Sequence, residues 1–194
     1  MNIKLTHEES SPRLLLIFAG WAMDEHIFAS VTPTGYDVAV AFDHCTGADT
    51  EQLEMMNAYD EICVVGWSFG VIAATLFMSE NPQLPYTARI AVNGTLCPVD
   101  DNFGIPEAIF RGTLDNLSPA VMAKFNRRMC GSGQRLAALV SGGWVQRPVD
   151  RLDHELRAIA AIGHCREKMN LWDIVGVGKR DMIIPADNQL RAWS

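Results

Sequence analysis

Apolar residues in this chain gather into short unbroken runs. Residues 13–18, 36–42, 61–65, 88–93 and 173–178 each carry one, rich in Val, Ile, Leu or Ala and closed by Gly, Asn or Asp. Such runs predict strands covered on both faces. Several are separated by stretches of helical pattern, as in residues 71–78, and that alternation predicts a parallel α/β sheet. Residues 105–170 contain no convincing strand. Helical patterns around 120–129, 134–140 and 152–162 instead predict a helical insertion between the fourth and fifth strands.

The junction between the third strand and the next helix reads Gly66-Trp67-Ser68-Phe69-Gly70. A strand, then G-x-S-x-G, then a helix resembles the nucleophile elbow of the α/β-hydrolase fold. Glycines flank the serine because a Cβ there would collide with the neighbouring strand and helix. The hydroxyl is expected at the C-terminal edge of the sheet, beside a helix N-terminus that favours a developing oxyanion. In this fold a helical insertion commonly caps the active site, so residues 105–170 are read as a lid.

Composition narrows the possibilities. A chain of 194 residues, 48% hydrophobic, can bury one sizeable core. A net charge of −7 argues against general nucleic-acid binding. No apolar run reaches the roughly 20 residues of a membrane span, and the first residues lack a signal-peptide pattern. Cysteines stand at 45, 63, 97, 130 and 165, an odd number without C-x-x-C, which predicts reduced thiols in a cytoplasmic protein. No metal or cofactor is expected.

Charge is divided unevenly. Residues 105–170 hold ten Lys/Arg against six Asp/Glu, leaving +4; the rest holds six against seventeen, leaving −11. A basic lid on an acidic body is either a docking face for an acidic partner or a set of ordinary solvated helix faces.

A serine esterase also needs an oxyanion hole, a base and an orienting acid. The backbone N–H of Phe69 is one expected oxyanion donor, and that of Trp21, in the loop after the first predicted strand, is the other. Asp181 follows the last predicted strand and is the expected acid. Asp187 competes, and reads better as an N-cap for the residues after it. No histidine follows Asp181, while His7, His26, His44, His154 and His164 are read as surface or packing residues. The expectation is therefore that the final strand and the histidine lie beyond Ser194.

With these residues in place, the sequence resembles the BioG-type pimeloyl-acyl-carrier-protein methyl ester esterases of biotin synthesis. The resemblance runs through residues 16–24, 66–71, 93–96, 104–106, 109–114, 125–130 and 181–189, nearly the whole chain. It implies a serine esterase that cleaves the methyl ester on a carrier-bound pimeloyl chain, with Ser68 and Asp181 matching the family's serine and aspartate. The family's histidine lies about 20 residues beyond the aspartate, in a segment absent here. An acyl carrier protein as partner gives the basic lid a purpose, with Arg127, Arg128 and Arg135 as expected contacts. Trp21, Trp67, Phe110, Phe125 and Met129 are candidates to line an acyl channel. Two alternatives stay open: a general carboxylesterase or thioesterase of the same fold, and a non-catalytic module holding an acyl chain or a partner.

Overall fold

The computed structural model describes residues 1–144, 147–163 and 165–194. Six strands form one sheet: β1 (Asn2–His7), β2 (Arg13–Phe18), β3 (Asp37–Phe42), β4 (Glu61–Trp67), β5 (Tyr86–Val92) and β6 (Ile174–Gly176), in the order β1-β3-β2-β4-β5-β6. All neighbours are parallel except β1, which runs antiparallel to β3. β1 was not foreseen from the sequence. It is a partly exposed edge strand with only Ile3 and Leu5 as large apolar residues, so the signal of a doubly covered run is missing. His7 accordingly belongs to the sheet.

Among the described residues seven α-helices accompany the sheet: α1 (Thr50–Asn57), α2 (Gly70–Glu80), α3 (Glu107–Leu114), α4 (Pro119–Cys130), α5 (Gly133–Ser141), α6 (Val149–Ile162) and α7 (Ala186–Ala192). Side chains of β2 and β4, including Leu16, Phe18 and Val64, pack with Ile72 and Phe77 of α2 in one core. A second core joins Ile17, Val38, Val40 and Phe69 to Phe110, Met122, Leu152 and Leu156 of the insertion α3–α6. The insertion is thereby bonded to the sheet by a shared apolar interior, burial being worth about 25 cal/mol per Å² of apolar surface.

The register aligns the strand ends that build a site. Phe18 lies opposite Gly66, Trp67 opposite Val92, and Val92 opposite Gly176. The turns leaving β2, β4, β5 and β6 therefore emerge along one edge, where open α/β sheets hold their ligands. β6 borders the sheet, with Ile174 and Val175 exposed.

The expectation of five reduced thiols needs correction. Cys97, after β5, and Cys165, on the return from α6, are joined by a disulfide, their Cα atoms 4.2 Å apart. Nearby, the N–H of Arg166 donates to the Leu96 carbonyl at 2.9 Å. The pairing joins residues 68 positions apart, which no local spacing reveals. Cys45, Cys63 and Cys130 are free. No helix among the described residues is long and apolar enough to cross a membrane.

Candidate active site

The turn after β4 is built around a strained serine. Ser68 has φ +56°, a left-handed conformation that a non-glycine residue adopts at a cost of about 1–3 kcal/mol. Main-chain bonds hold it there: Ser68 N–H donates to Val92 O at 2.9 Å, and Val71 N–H donates to Ser68 O at 3.0 Å. The flanking glycines have no room for a side chain. A Cβ on Gly70 would lie 2.0 Å from Phe18 O, and one on Gly66 would lie 2.8 Å from Val71 Cα. The strain is thus imposed by the crossing of β2, β4 and α2.

The turn after β2 lies against this serine. A Cβ on Gly20 would stand 3.1 Å from the Ser68 Cβ. Trp21 follows, 3% exposed, its indole edge-on to Phe125 with ring centroids 4.8 Å apart. Among the described residues no acceptor takes the N–H of Trp21 or of Phe69. Phe69 caps the N-terminus of α2 without a side-chain bond, so its N–H is one of the donors that a helix start leaves open.

Asp181 sits in the turn after β6. Its Oδ1 accepts the N–H groups of Ile183 (2.8 Å) and Ile184 (3.0 Å), and its Oδ2 accepts Nε2 of Gln189 (2.9 Å). Asn93, at φ +48° after β5, accepts the Gly178 N–H at 2.6 Å and ties the Asp181 turn to the end of β5. Asn93 and Gln189 gained no role from the sequence. Asn93 carried a signal, because an Asn-Gly pair closing a strand is suited to left-handed backbone; Gln189 carried none.

Ser68, Asp181, Trp21, Phe69, Trp67, Phe125, Arg128 and Arg135 line one cavity of about 540 Å³, together with Asn93, Met129, Lys179 and Arg180. Arg128 and Arg135 enter from the insertion, Lys179 and Arg180 from the sheet. None of the four makes an ion pair among the described residues, and Arg128 Nε is buried without a hydrogen-bond partner. Lys179 and Arg180 precede the expected acid and were not singled out from the sequence. Cys130 also lines the cavity, but burial pushes its thiol up, so it stays protonated and competes poorly with Ser68 as a nucleophile.

Two expected contacts lie elsewhere. Arg127 lines a separate groove between α4 and α5 with Lys124 and Leu136, because successive helix residues point about 100° apart. Phe110 is 3% exposed and lines a small inner cavity of about 20 Å³ with Trp21, Phe69 and Phe125. Asp187 is not an N-cap: α7 is capped by Pro185, whose ring favours the start of a helix, and Asp187 stands in the first turn.

Four of the five histidines are described, and none lines the cavity. His7 pairs with Glu9 (3.4 Å) and His26 with Asp24 (3.2 Å). His154 is exposed on α6, and His164 lies outside the described residues. His44 is half-buried, with Nε2 2.9 Å from Ala19 O. Burial lowers its pKa, so the ring is neutral and Nε2–H donates. The geometry thus joins a strained hydroxyl, two open N–H groups, a fixed carboxylate and four cations in one cavity. It can receive an acyl ester and stabilise an oxyanion, but among the described residues it has no imidazole.

A chain in Bacteroides fragilis named malonyl-[acyl-carrier protein] O-methyltransferase is 41% identical over 180 residues, which is 92% of this chain but 36% of that protein. The chain thus spans about a third of that relative, whose named activity belongs to the larger protein. An uncharacterized Haemophilus influenzae protein is 32% identical over 194 residues, 97% of this chain and 85% of that one. Among solved structures, BioG from Haemophilus influenzae superimposes with a TM-score of 0.85 at 32% identity, covering 100% of this chain and 87% of that one. The Rhodococcus esterase RhEst1 superimposes with a TM-score of 0.62 at 15% identity, covering 98% and 80%, a likeness of fold. The sheet, its elbow and these neighbours identify the α/β-hydrolase fold. The family model described as pimeloyl-ACP methyl esterase BioG matches residues 1–194, and the chain belongs to that family of hydrolase-fold esterases.

Proposed function

We propose that this chain hydrolyses the methyl ester of a pimeloyl group carried on an acyl carrier protein. The observation that carries the reading is Ser68, strained at its elbow, sharing a cavity with Asp181 and with the cations Arg128, Arg135, Lys179 and Arg180. The hydroxyl oxygen of Ser68 attacks the ester carbonyl. The N–H groups of Trp21 and Phe69 receive the oxyanion, an arrangement in which one donor is worth about 2.7–4 kcal/mol. Methoxide leaves as methanol after taking a proton from the base, and the chain is held as an ester on Ser68. Water then attacks that ester, giving a free carboxylate and restoring the hydroxyl.

In this reading the base is an imidazole oriented by Asp181; among the described residues no histidine lines the cavity. The insertion α3–α6 acts as the lid. A carrier protein is named in the family's description and in the B. fragilis relative's name, and Arg128, Arg135, Lys179 and Arg180 suit an acidic partner.

The test compares the full-length protein and its Ser68→Ala variant on methyl pimeloyl carrier protein and on p-nitrophenyl esters. Hydrolysis of the carrier substrate, preferred over the small esters and abolished by Ser68→Ala, is expected. Preference for the small esters would favour a general esterase. Carrier binding by the full-length protein without hydrolysis would favour a non-catalytic module.

A further inference from the structure

Several buried and partly buried contacts outside the elbow converge on residues 19–24, the segment that bears the Trp21 N–H. The indole Nε1–H of Trp21 donates to the carbonyl of Leu152 on α6 at 3.0 Å. Arg147 Nη1 donates to Met23 O at 3.3 Å. His44 Nε2–H donates to Ala19 O, and the main-chain N–H of His44 donates to Glu155 Oε1 at 3.0 Å. Arg147 is itself gripped between Glu155 (2.8 Å) and Asp43 (2.9 Å). Glu155 is fully buried and Asp43 nearly so.

Such a cluster is a poor device for stability alone. Burying a carboxylate and a guanidinium carries a desolvation cost that an apolar cluster of equal volume avoids. What the cluster does provide is direction. Hydrogen bonds at both ends of residues 19–23 fix a short segment that contains a left-handed alanine, Ala22 at φ +69°. The segment lies so close to the elbow that a methyl group on Gly20 would press on Ser68. A small displacement of residues 19–22 therefore turns the Trp21 N–H away from the serine.

We propose that Arg147, Glu155 and the indole of Trp21 are positioning residues for the oxyanion hole: the base of the lid sets the aim of the Trp21 N–H. The assignment rests on the reading of that N–H as an oxyanion donor. Its consequence is that the rate of hydrolysis depends on contacts that never touch the ester.

The test uses the full-length, hydrolytically competent protein with four substitutions, Arg147→Met serving as the reference for Arg147→Lys. Trp21→Phe removes the indole donor and keeps an aromatic ring against Phe125. Glu155→Gln removes the charge and keeps the shape. Arg147→Lys keeps the charge and loses the fork. Each is measured for kcat and KM on a short methyl ester, and for affinity toward a trifluoromethyl ketone, which binds as a tetrahedral oxyanion. Trp21→Phe and Glu155→Gln are expected to lower kcat roughly 10- to 100-fold, with KM nearly unchanged. Ketone affinity should fall by the same factor, and Arg147→Lys should retain more activity than Arg147→Met. Unchanged kcat and ketone affinity alongside a lowered Tm would overturn the proposal and leave the cluster a structural one. If Glu155→Gln does not fold, Trp21→Phe decides alone. Wild-type hydrolysis that survives Ser68→Ala would instead sink the esterase reading itself.

Discussion

The carboxylate of Asp181 and the amide of Gln189 face each other at 2.9 Å, and Gln189 is fully buried in α7. The same amide nitrogen donates to Ile184 O at 2.9 Å, so one side chain closes the turn and fixes the acid. Gln189→Leu should therefore leave Asp181 free to rotate and the Ile184 carbonyl short of a donor. Losing these bonds costs about 1–3 kcal/mol of stability, and kcat is expected to fall several-fold with KM little changed. Denaturant titration and steady-state kinetics of the full-length protein check both; unchanged kcat would remove Gln189 from the site.

Ser68 sets stability against function. Ser68→Ala removes the nucleophile but keeps a Cβ at φ +56°, whereas Ser68→Gly removes both. Both variants should be inactive, and Ser68→Gly should be the more stable by about 1 kcal/mol. Equal midpoints in urea would show that the turn is not strained.

The rim cations act on encounter. Reversing Lys179 and Arg180 to Glu should raise KM for carrier-bound ester, weaken its dependence on salt and spare a small ester. The pair Arg128 and Arg135 should behave alike, while Arg127→Glu, on the far groove, should change carrier turnover less. Equal losses on both substrates would assign these residues to structure.

His44 makes stability depend on pH. Burial lowers its pKa below the ordinary value of about 6.5, with Arg147 and the N-terminal amine adding to the effect and Glu155 and the Ala19 carbonyl opposing it. The unfolded chain then binds the extra proton, so this part of the stability is present above pH 6.5 and is lost as pH falls from there. The Tm should decline between pH 7 and pH 5, and decline less in His44→Gln. Parallel Tm profiles for the two proteins would contradict a neutral ring in the folded state.

Much of this was legible in the chain. The doubly covered strands announced themselves as apolar runs, because a strand with helices on both faces has no polar side to show. The elbow was legible because its glycines are dictated by contacts within a few residues. What escaped was non-local or half-exposed. β1 lacks the apolar signature, and the Cys97–Cys165 pair and the bond from Trp21 to Leu152 each join distant positions. Arg127 and Arg128 look alike in sequence, and only the rotation of α4 separates the groove from the cavity. Lys179 and Arg180 look like ordinary turn cations in sequence, and only the fold brings them to the cavity.

The most direct test is the identity of what is attached to Ser68 during turnover. Full-length protein is mixed with methyl pimeloyl carrier protein, quenched in acid within the first turnover and mapped by peptide mass. Cleavage of the methyl ester predicts methanol release and a chain bridging Ser68 to the carrier, its thioester intact. A methylated chain on Ser68 with the carrier released would make the protein a thioesterase, and turnover with Ser68 never modified would contradict the account.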